Sequence, residues 1–257
     1  MILLIDVGNT NIKIGLSDGK QTVNTWRIAT DTARTADETG MILFDLLRQS
    51  GRNFRDITGV IISSVVPNIN YTLEHMCSYY LGIKPIMVSS KLNLGKITID
   101  YPGNEIGSDR LVNAVAGFEN YGGPIITVDF GTATTFGVID NSGVLQGGLI
   151  APGIKSSAES LVNTASKLPR IELIKPANVI GKNTVENMQA GIIYGFAGLV
   201  EYIIKKIKSQ PGFENAKVIA TGGMSQLITN ISDCIDVVDR ALSLKGLQII
   251  YKLNKRQ

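Results

Sequence analysis

Apolar positions along the chain come in two patterns, short unbroken runs and longer stretches with helical spacing, and the two take turns. The opening run Ile2, Leu3, Leu4, Ile5 has no polar interruption and ends at Asp6. That predicts a strand buried on both faces, with the acid placed where the strand leaves the core. Ile12 to Leu16 follows a short polar loop and is itself followed by Asp18 and Gly19, so the two runs read as a hairpin. Thr35, Ala36, Asp37 and Glu38 spell a capping box ahead of Met41, Ile42, Leu43, Leu46 and Leu47, a helix that Gly51 stops. A strand over 59–66, a helix over 70–81 and a short strand over 85–88 come next. A further helix begins with Ser108 as N-cap and runs through Phe118.

After residue 118 the pattern restarts. Shifted by 123 positions, Ile125 lies on Ile2, Asp129 on Asp6, Gly131 on Gly8 and Ile139 on Leu16, and 141–143 repeats the Asp18-Gly19 turn. The chain therefore divides into two similar α/β halves, 1–118 and 119–257. Any two hairpins can share Gly and Thr in their turns. An acid at the same point of two buried strands needs a further reason, because a carboxylate in the core is costly unless something compensates it.

Composition narrows the classes of function. The chain has 257 residues, 44% hydrophobic and 18% charged, which suits one large globular domain or two lobes. Net charge is +3, and basic residues gather only at 252–256, which argues against a nucleic-acid surface. Cys77 and Cys234 lie far apart and His75 is the single histidine, so neither a zinc site nor a disulfide framework is expected and a reducing cytoplasm fits. No run approaches transmembrane length and the first residues do not read as a signal peptide, so no membrane partner is expected.

The paired turns have a chemical reading. Gly8 and Gly131 permit positive φ and a close backbone approach, so successive N–H groups can point at phosphate oxygens. Asn9, Thr10, Asn11, Thr132 and Thr134 add neutral donors. Asp6 and Asp129 then hold cations, since bare carboxylates repel a polyphosphate. Lys13 could reach a terminal phosphate or be a solvated strand lysine. The P-loop spacing is absent, so a different nucleotide fold is required.

These residues carry a resemblance. Asp6-Val7-Gly8-Asn9-Thr10, the second turn Asp129 to Thr135, the glycines Gly147, Gly148 and Gly153, and Thr221-Gly222-Gly223 resemble the phosphate and adenosine motifs of the actin, hexokinase and Hsp70 ATPase superfamily. With Gly107-Ser108-Asp109-Arg110 and the stretch Ser63, Ser64, Val65, Val66, Pro67, the chain resembles type III pantothenate kinases, the ATP-dependent first enzymes of coenzyme A synthesis. The resemblance implies two ribonuclease H-like lobes with an ATP cleft between them, a homodimer, Mg²⁺ with ATP, and a monovalent cation, K⁺ or NH₄⁺. It implies that Asp6, Val7, Gly8, Asn9, Thr10, Asn11, Ile12, Lys13 and Thr132 contact ATP. It further implies that Asp129 binds the monovalent ion and Asp6 the magnesium end, that Asp109 accepts the proton, and that Tyr101, Gly107, Ser108, Asp109, Arg110 and Thr184 contact pantothenate.

Asp109 also stands out without the resemblance. In the first turn of a helix and next to Arg110, its ionised form is favoured, which predicts a low pKa. A plain capping aspartate would look the same. Thr184 follows Asn183 at the head of a long helix reaching Lys208, where free N–H groups suit a carboxylate, and ordinary capping explains it equally. Gly191, Gly195 and Gly198 on that helix suit close packing within the chain or against a second copy. His75 reads as a surface or interface residue, and Tyr79 and Tyr80 as packing. Lys155 and Ser156 could hold an anion or merely open a helix. Besides a pantothenate kinase, a different small-molecule kinase or phosphatase of the superfamily and a non-catalytic nucleotide-binding protein remain readings of the same residues.

Overall fold

The computed structural model describes residues 1–100 and 106–255. Residues 1–96, 106–116 and 241–255 form one compact unit, and 97–100 with 117–240 form the second. The partition differs from a cut at 118 because the last helix belongs with the first unit.

The first unit is built on β1 (Ile2–Val7), β2 (Asn11–Ser17), β3 (Thr22–Ala29), α1 (Ala36–Gln49), β4 (Gly59–Ser64), α2 (Pro67–Met76) and β5 (Ile86–Met87). Its sheet runs β3-β2-β1-β4-β5, with β1 antiparallel to β2 and parallel to β4. Alternation along β1 sorts its side chains between two covered faces. Leu3, Ile5 and Val7 pack with Leu43 and Leu47 of α1 and with Ile69 and Leu73 of α2. Leu4 and Asp6 point to the opposite face. That explains why β1 reads as an unbroken apolar run.

β6 (Thr98–Ile99) is an edge strand of the second sheet, and α3 (Ser108–Tyr121) gives 108–116 to the first unit and 117–121 to the second. The second unit continues with β7 (Ile125–Phe130), β8 (Ala133–Ile139), β9 (Val144–Pro152), α4 (Ile154–Thr164), α5 (Thr184–Lys208), β10 (Lys217–Gly222), α6 (Ser225–Thr229) and β11 (Val237–Val238). Its order, β11-β10-β7-β8-β9-β6, repeats that of the first sheet with one added edge strand. Ile126, Val128 and Phe130 pack with Ile193, Val200 and Ile204 of α5. Each such buried aliphatic side chain contributes roughly 1.5–3 kcal/mol.

The predicted helices are present with shifted ends. The capping box at Thr35 forms with both its bonds, and Gly51 (φ +72°) follows the end of α1. α2 starts earlier than expected, at Pro67, whose fixed φ suits a first helical position, and a π-turn carries the chain through Cys77–Leu81. α7 (Leu242–Asn254) closes the described chain and packs on β1 and β4. Among the described residues no helix is long and apolar enough to cross a membrane.

The duplication holds with one change of register. Leu3 pairs with Leu16, whereas Ile126 pairs with Val138. The second turn is one residue shorter, so Val138, not Ile139, takes the place of Leu16.

Candidate active site

In the first unit, the chain turns after Val7 and re-enters the sheet at Asn11. Val7 and Ile12 close the ladder as a registered pair with buried side chains, so only their backbones are available to a ligand. Gly8 N–H donates to Asn11 O at 3.0 Å, and Thr30 braces the turn from behind by donating to Gly8 O at 2.6 Å. Asn9, Thr10 and Asn11 are exposed. The expected positive φ is absent at both Gly8 and Gly131. At Gly8 the requirement is steric, because a Cβ would stand 3.3 Å from Asn11 O.

Asp6 stands opposite Lys13 on β2 and opposite Ser63 on β4. Burial raises its pKa, and Asp109 adds like charge, while hydrogen bonds from Ser243 and Ser63 and the charge of Lys13 act the other way. Asp6 and Asp109 are therefore brought together in one unit, although 102 residues separate them in the sequence.

Asp109 departs from expectation. Its pKa is raised, because desolvation outweighs the backbone bond and the charge that Arg110 supplies. Oδ1 of Asp109 accepts from Arg110 N at 2.8 Å, and a Cβ on Gly107 would lie 2.5 Å from that oxygen. Gly107 thus makes room for the folded-back carboxylate. Ser108 is not the N-cap. It is the first helical residue, Gly107 O accepts the first helical bond from Leu111 N, and the Ser108 hydroxyl donates to Ser64 O and accepts from Ser63, both at 3.0 Å. The stretch at Ser63 and Ser64 therefore anchors the head of α3.

In the second unit, Asp129 shares its sheet face with Ile125 and Thr127, and its registered partners are Thr135 and Thr221. Gly222 (φ +91°) lies so close that a Cβ there would stand 2.6 Å from Asp129 Oδ1 and from Phe130 N and O. A left-handed glycine is required at that position, not at Gly131. Thr132 is exposed, and its carbonyl accepts from Ser156 Oγ at 2.9 Å, so Ser156 supports the second turn. Lys155 pairs with Glu159 at 3.9 Å.

Asn183 caps α5 as read from sequence, accepting from Glu186 N at 2.9 Å. Thr184 is exposed and lines a groove with Leu161, Leu168 and Met188. Among the described residues nothing stands within 4 Å of where a Cβ on Gly191, Gly195 or Gly198 would lie, so these glycines form an exposed face of α5. His75 stacks on a helix surface between Tyr71 and Tyr79, and Tyr79 is 71% exposed rather than packed. Tyr80 does pack, lying over Gly40 and donating to Asp37. Tyr101 lies outside the described residues. Sequence reasoning missed Ser243, whose hydroxyl bonds Asp6 and accepts from Lys13 Nζ at 3.5 Å; no local signal marks it.

Comparison with known proteins adds an independent line. The family model for type III pantothenate kinase matches residues 2–206. A Campylobacter jejuni structure described as a Baf family transcriptional activator is 19% identical, with 98% of each chain covered and a TM-score of 0.61. The activator of 2-hydroxyisocaproyl-CoA dehydratase from Clostridium difficile, with bound ADPNP, is 15% identical over 98% of this chain and 94% of that one, with a TM-score of 0.59. Component A of (R)-2-hydroxyglutaryl-CoA dehydratase from Acidaminococcus fermentans is 14% identical over 99% of both chains, with a TM-score of 0.58. At these identities the likeness is one of fold, the duplicated ribonuclease H-like α/β fold of the actin-like ATPases.

Proposed function

As the chain belongs to the type III pantothenate kinase family, a family of kinases, we propose that it transfers the γ-phosphoryl group of ATP to the primary hydroxyl of pantothenate, giving 4'-phosphopantothenate, the first step of coenzyme A biosynthesis. The observation that carries this reading beyond the family is the joint placement of Asp6, at the turn suited to phosphates, and Asp109, at the head of α3. Phosphoryl transfer to an alcohol needs positioned phosphates, charge neutralisation and a proton acceptor.

The donor set suits magnesium that arrives with a nucleotide. Among the described residues no cluster of three or more His, Cys, Asp or Glu could cage a metal by itself. One half-buried carboxylate, Asp6, with a second, Asp109, close enough to repel it, fits a cation that completes its shell with phosphate oxygens and water. Bound there, Mg²⁺ would neutralise phosphate charge. Exposed Asn9, Thr10, Asn11 and Thr132, with Lys13, are proposed to contact the phosphates. Asp129 is proposed to hold K⁺ or NH₄⁺, which its setting supports: one carboxylate against the Gly222 backbone, with a threonine in the place that Lys13 holds in the first unit.

Asp109 is proposed to take the hydroxyl proton on Oδ2, as Oδ1 accepts from Arg110 N. Its raised pKa makes it a stronger base than an ordinary carboxylate. Gly107, Ser108 and Arg110 at the head of α3, with Tyr101 and Thr184, are proposed to receive pantothenate. The single cation Arg110 among them suits a substrate with one carboxylate. A homodimer is proposed from the exposed glycine face of α5 and from exposed Ile150 and Ile180 in the same unit. A cytoplasmic enzyme is the reading consistent with this family.

The test is a coupled assay of ATP-dependent phosphorylation over a panel of acceptors at fixed Mg²⁺, with and without K⁺. Pantothenate should be used far better than glucose, glycerol or acetate, by factors reaching on the order of 10⁴. Preference for a sugar or for acetate would overturn the reading.

A further inference from the structure

Ser243 sits in the first turn of α7, outside the residues 2–206 that match the family model. It is 5% exposed, and a hydroxyl so buried needs partners. It has two, Asp6 and Lys13, and both come from the first hairpin of the chain. Asp6 and Lys13 are themselves registered across β1 and β2, so Ser243 meets a ready-made acid–base pair from a third element.

Alternation explains why the meeting occurs. Leu4 and Asp6 on β1, and Gly15 and Lys13 opposite them on β2, share the sheet face on which α7 packs. Two glycines set the position of α7. A Cβ on Gly15 would stand 3.0 Å from Leu244 Cδ1, so Leu244 seats in the space that Gly15 leaves. A Cβ on Gly246 would run into the Val112 carbonyl of α3, so the helices touch there at backbone distance. With Leu244 and Gly246 fixed on either flank, the Ser243 hydroxyl is held rigidly against the hairpin.

A hydroxyl offers one proton and two lone pairs. It gives the proton to the Asp6 carboxylate and takes the Lys13 ammonium on a lone pair. Lys13 has a flexible four-carbon stem, and a carboxylate rotates freely about its last torsion. Left alone, each would have to be ordered when a nucleotide arrives.

We infer that Ser243 is a positioning residue for the phosphate end of the nucleotide site, orienting the Asp6 carboxylate and the Lys13 ammonium together before the nucleotide binds. The inference rests on the kinase reading of the Asp6 turn. It makes α7 a working part of a site whose motif lies within the first 13 residues.

The experiment compares the full chain with Ser243→Ala and Ser243→Thr. Binding of a non-hydrolysable ATP analogue with Mg²⁺ is measured by isothermal titration calorimetry, beside KM for ATP and for pantothenate. Ser243→Ala should weaken analogue binding and raise KM for ATP roughly tenfold, the usual effect of losing a hydrogen bond to a charged group. KM for pantothenate should stay within about twofold of wild type, and Ser243→Thr, which keeps the hydroxyl, should restore most of the loss. In a Lys13→Met background Ser243→Ala should cost much less than tenfold, because the pair acts as one unit. Ser243→Cys keeps the volume and is read in the same way should the alanine variant not fold. Unchanged analogue affinity in a folded variant, or equal loss in the Ala and Thr variants, would overturn the inference and leave a packing role. A wild-type chain that binds no Mg²⁺–nucleotide would overturn the kinase reading and this inference with it, whereas wild-type binding indifferent to Ser243 overturns the inference alone.

Discussion

Lys13 stands directly across the β1–β2 ladder from Asp6, and the residue across from Asp129 in the second hairpin is Thr135. The two carboxylates of the duplication therefore live beside different neighbours, an ammonium in one case and a hydroxyl in the other. The proposed division of labour, a magnesium end and a monovalent-ion site, follows that asymmetry.

Placing an ammonium where the monovalent ion is proposed to sit should remove the need for it. Thr135→Lys should show turnover that no longer responds to K⁺, and Asp129→Ala should lose the K⁺ response together with most activity. Rates measured over a K⁺ series in sodium-free buffer decide this. A full K⁺ response in Asp129→Ala would move the ion site elsewhere.

Asp109→Asn keeps the shape of the side chain and removes the proton acceptor. Turnover should fall by a factor on the order of 10² to 10⁴, the usual value of a positioned general base, with KM for pantothenate little changed. Near-normal turnover in single-turnover experiments would take Asp109 out of the reaction.

The same residue makes a stability prediction of definite sign. Burial raises the Asp109 pKa above 3.8 in the folded chain, so between the unfolded and folded values the folded state holds the extra proton. Its stabilising contribution is complete below the unfolded value and is lost as pH rises through the folded one. Above the folded value the ionised side chain is thus a cost, and Asp109→Asn should melt higher than wild type there. The gain should shrink as pH falls through the folded value toward the ordinary carboxylate range. Calorimetric Tm values across pH would check it, and a variant Tm no higher than that of wild type at every pH would contradict it.

Gly222→Ala should be harmful twice over. The position has φ +91°, and the new methyl would press on Asp129 Oδ1 and on the Phe130 backbone. A loss of about 1–3 kcal/mol is expected from overpacking, with a weakened K⁺ response alongside it. Gly223→Ala next door, where none of the described residues stands within 4 Å of the new methyl, serves as the control in chemical denaturation.

Much of the fold was legible in the sequence because it was written locally. The unbroken run to Asp6, its repeat at Asp129, the box at Thr35 and the cap at Asn183 each depend on neighbours within a few residues, and each lies where expected. What escaped depended on distance or on burial. β3 alternates half-buried and exposed positions at a sheet edge and so lacks an apolar run. The one-residue difference between the two turns is invisible to an ungapped overlay, which placed Ile139 where Val138 belongs. Arg110 and the helix dipole argued for a low Asp109 pKa, but the desolvation that outweighs them appears only once Gly107 has folded the carboxylate inward. The Ser108 hydroxyl is drawn away from capping by Ser63 and Ser64, 45 and 44 residues upstream. Ser243 lies 230 residues from Lys13, and no motif connects them.

The membership of α7 in the first unit also orders events during synthesis. As the chain leaves the ribosome, β1 and its turn emerge well ahead of α7, so the face that carries Leu4 and Asp6 lacks the cover of α7 until residues 241–254 have followed. The second unit, nearly continuous in sequence, has all its strands available before then. A nascent chain would therefore carry a finished second half and a first sheet still without α7, with closing contacts of very high sequence separation and correspondingly slow formation. Truncation ahead of residue 241 should leave a soluble second unit and a first sheet prone to association through its bared face.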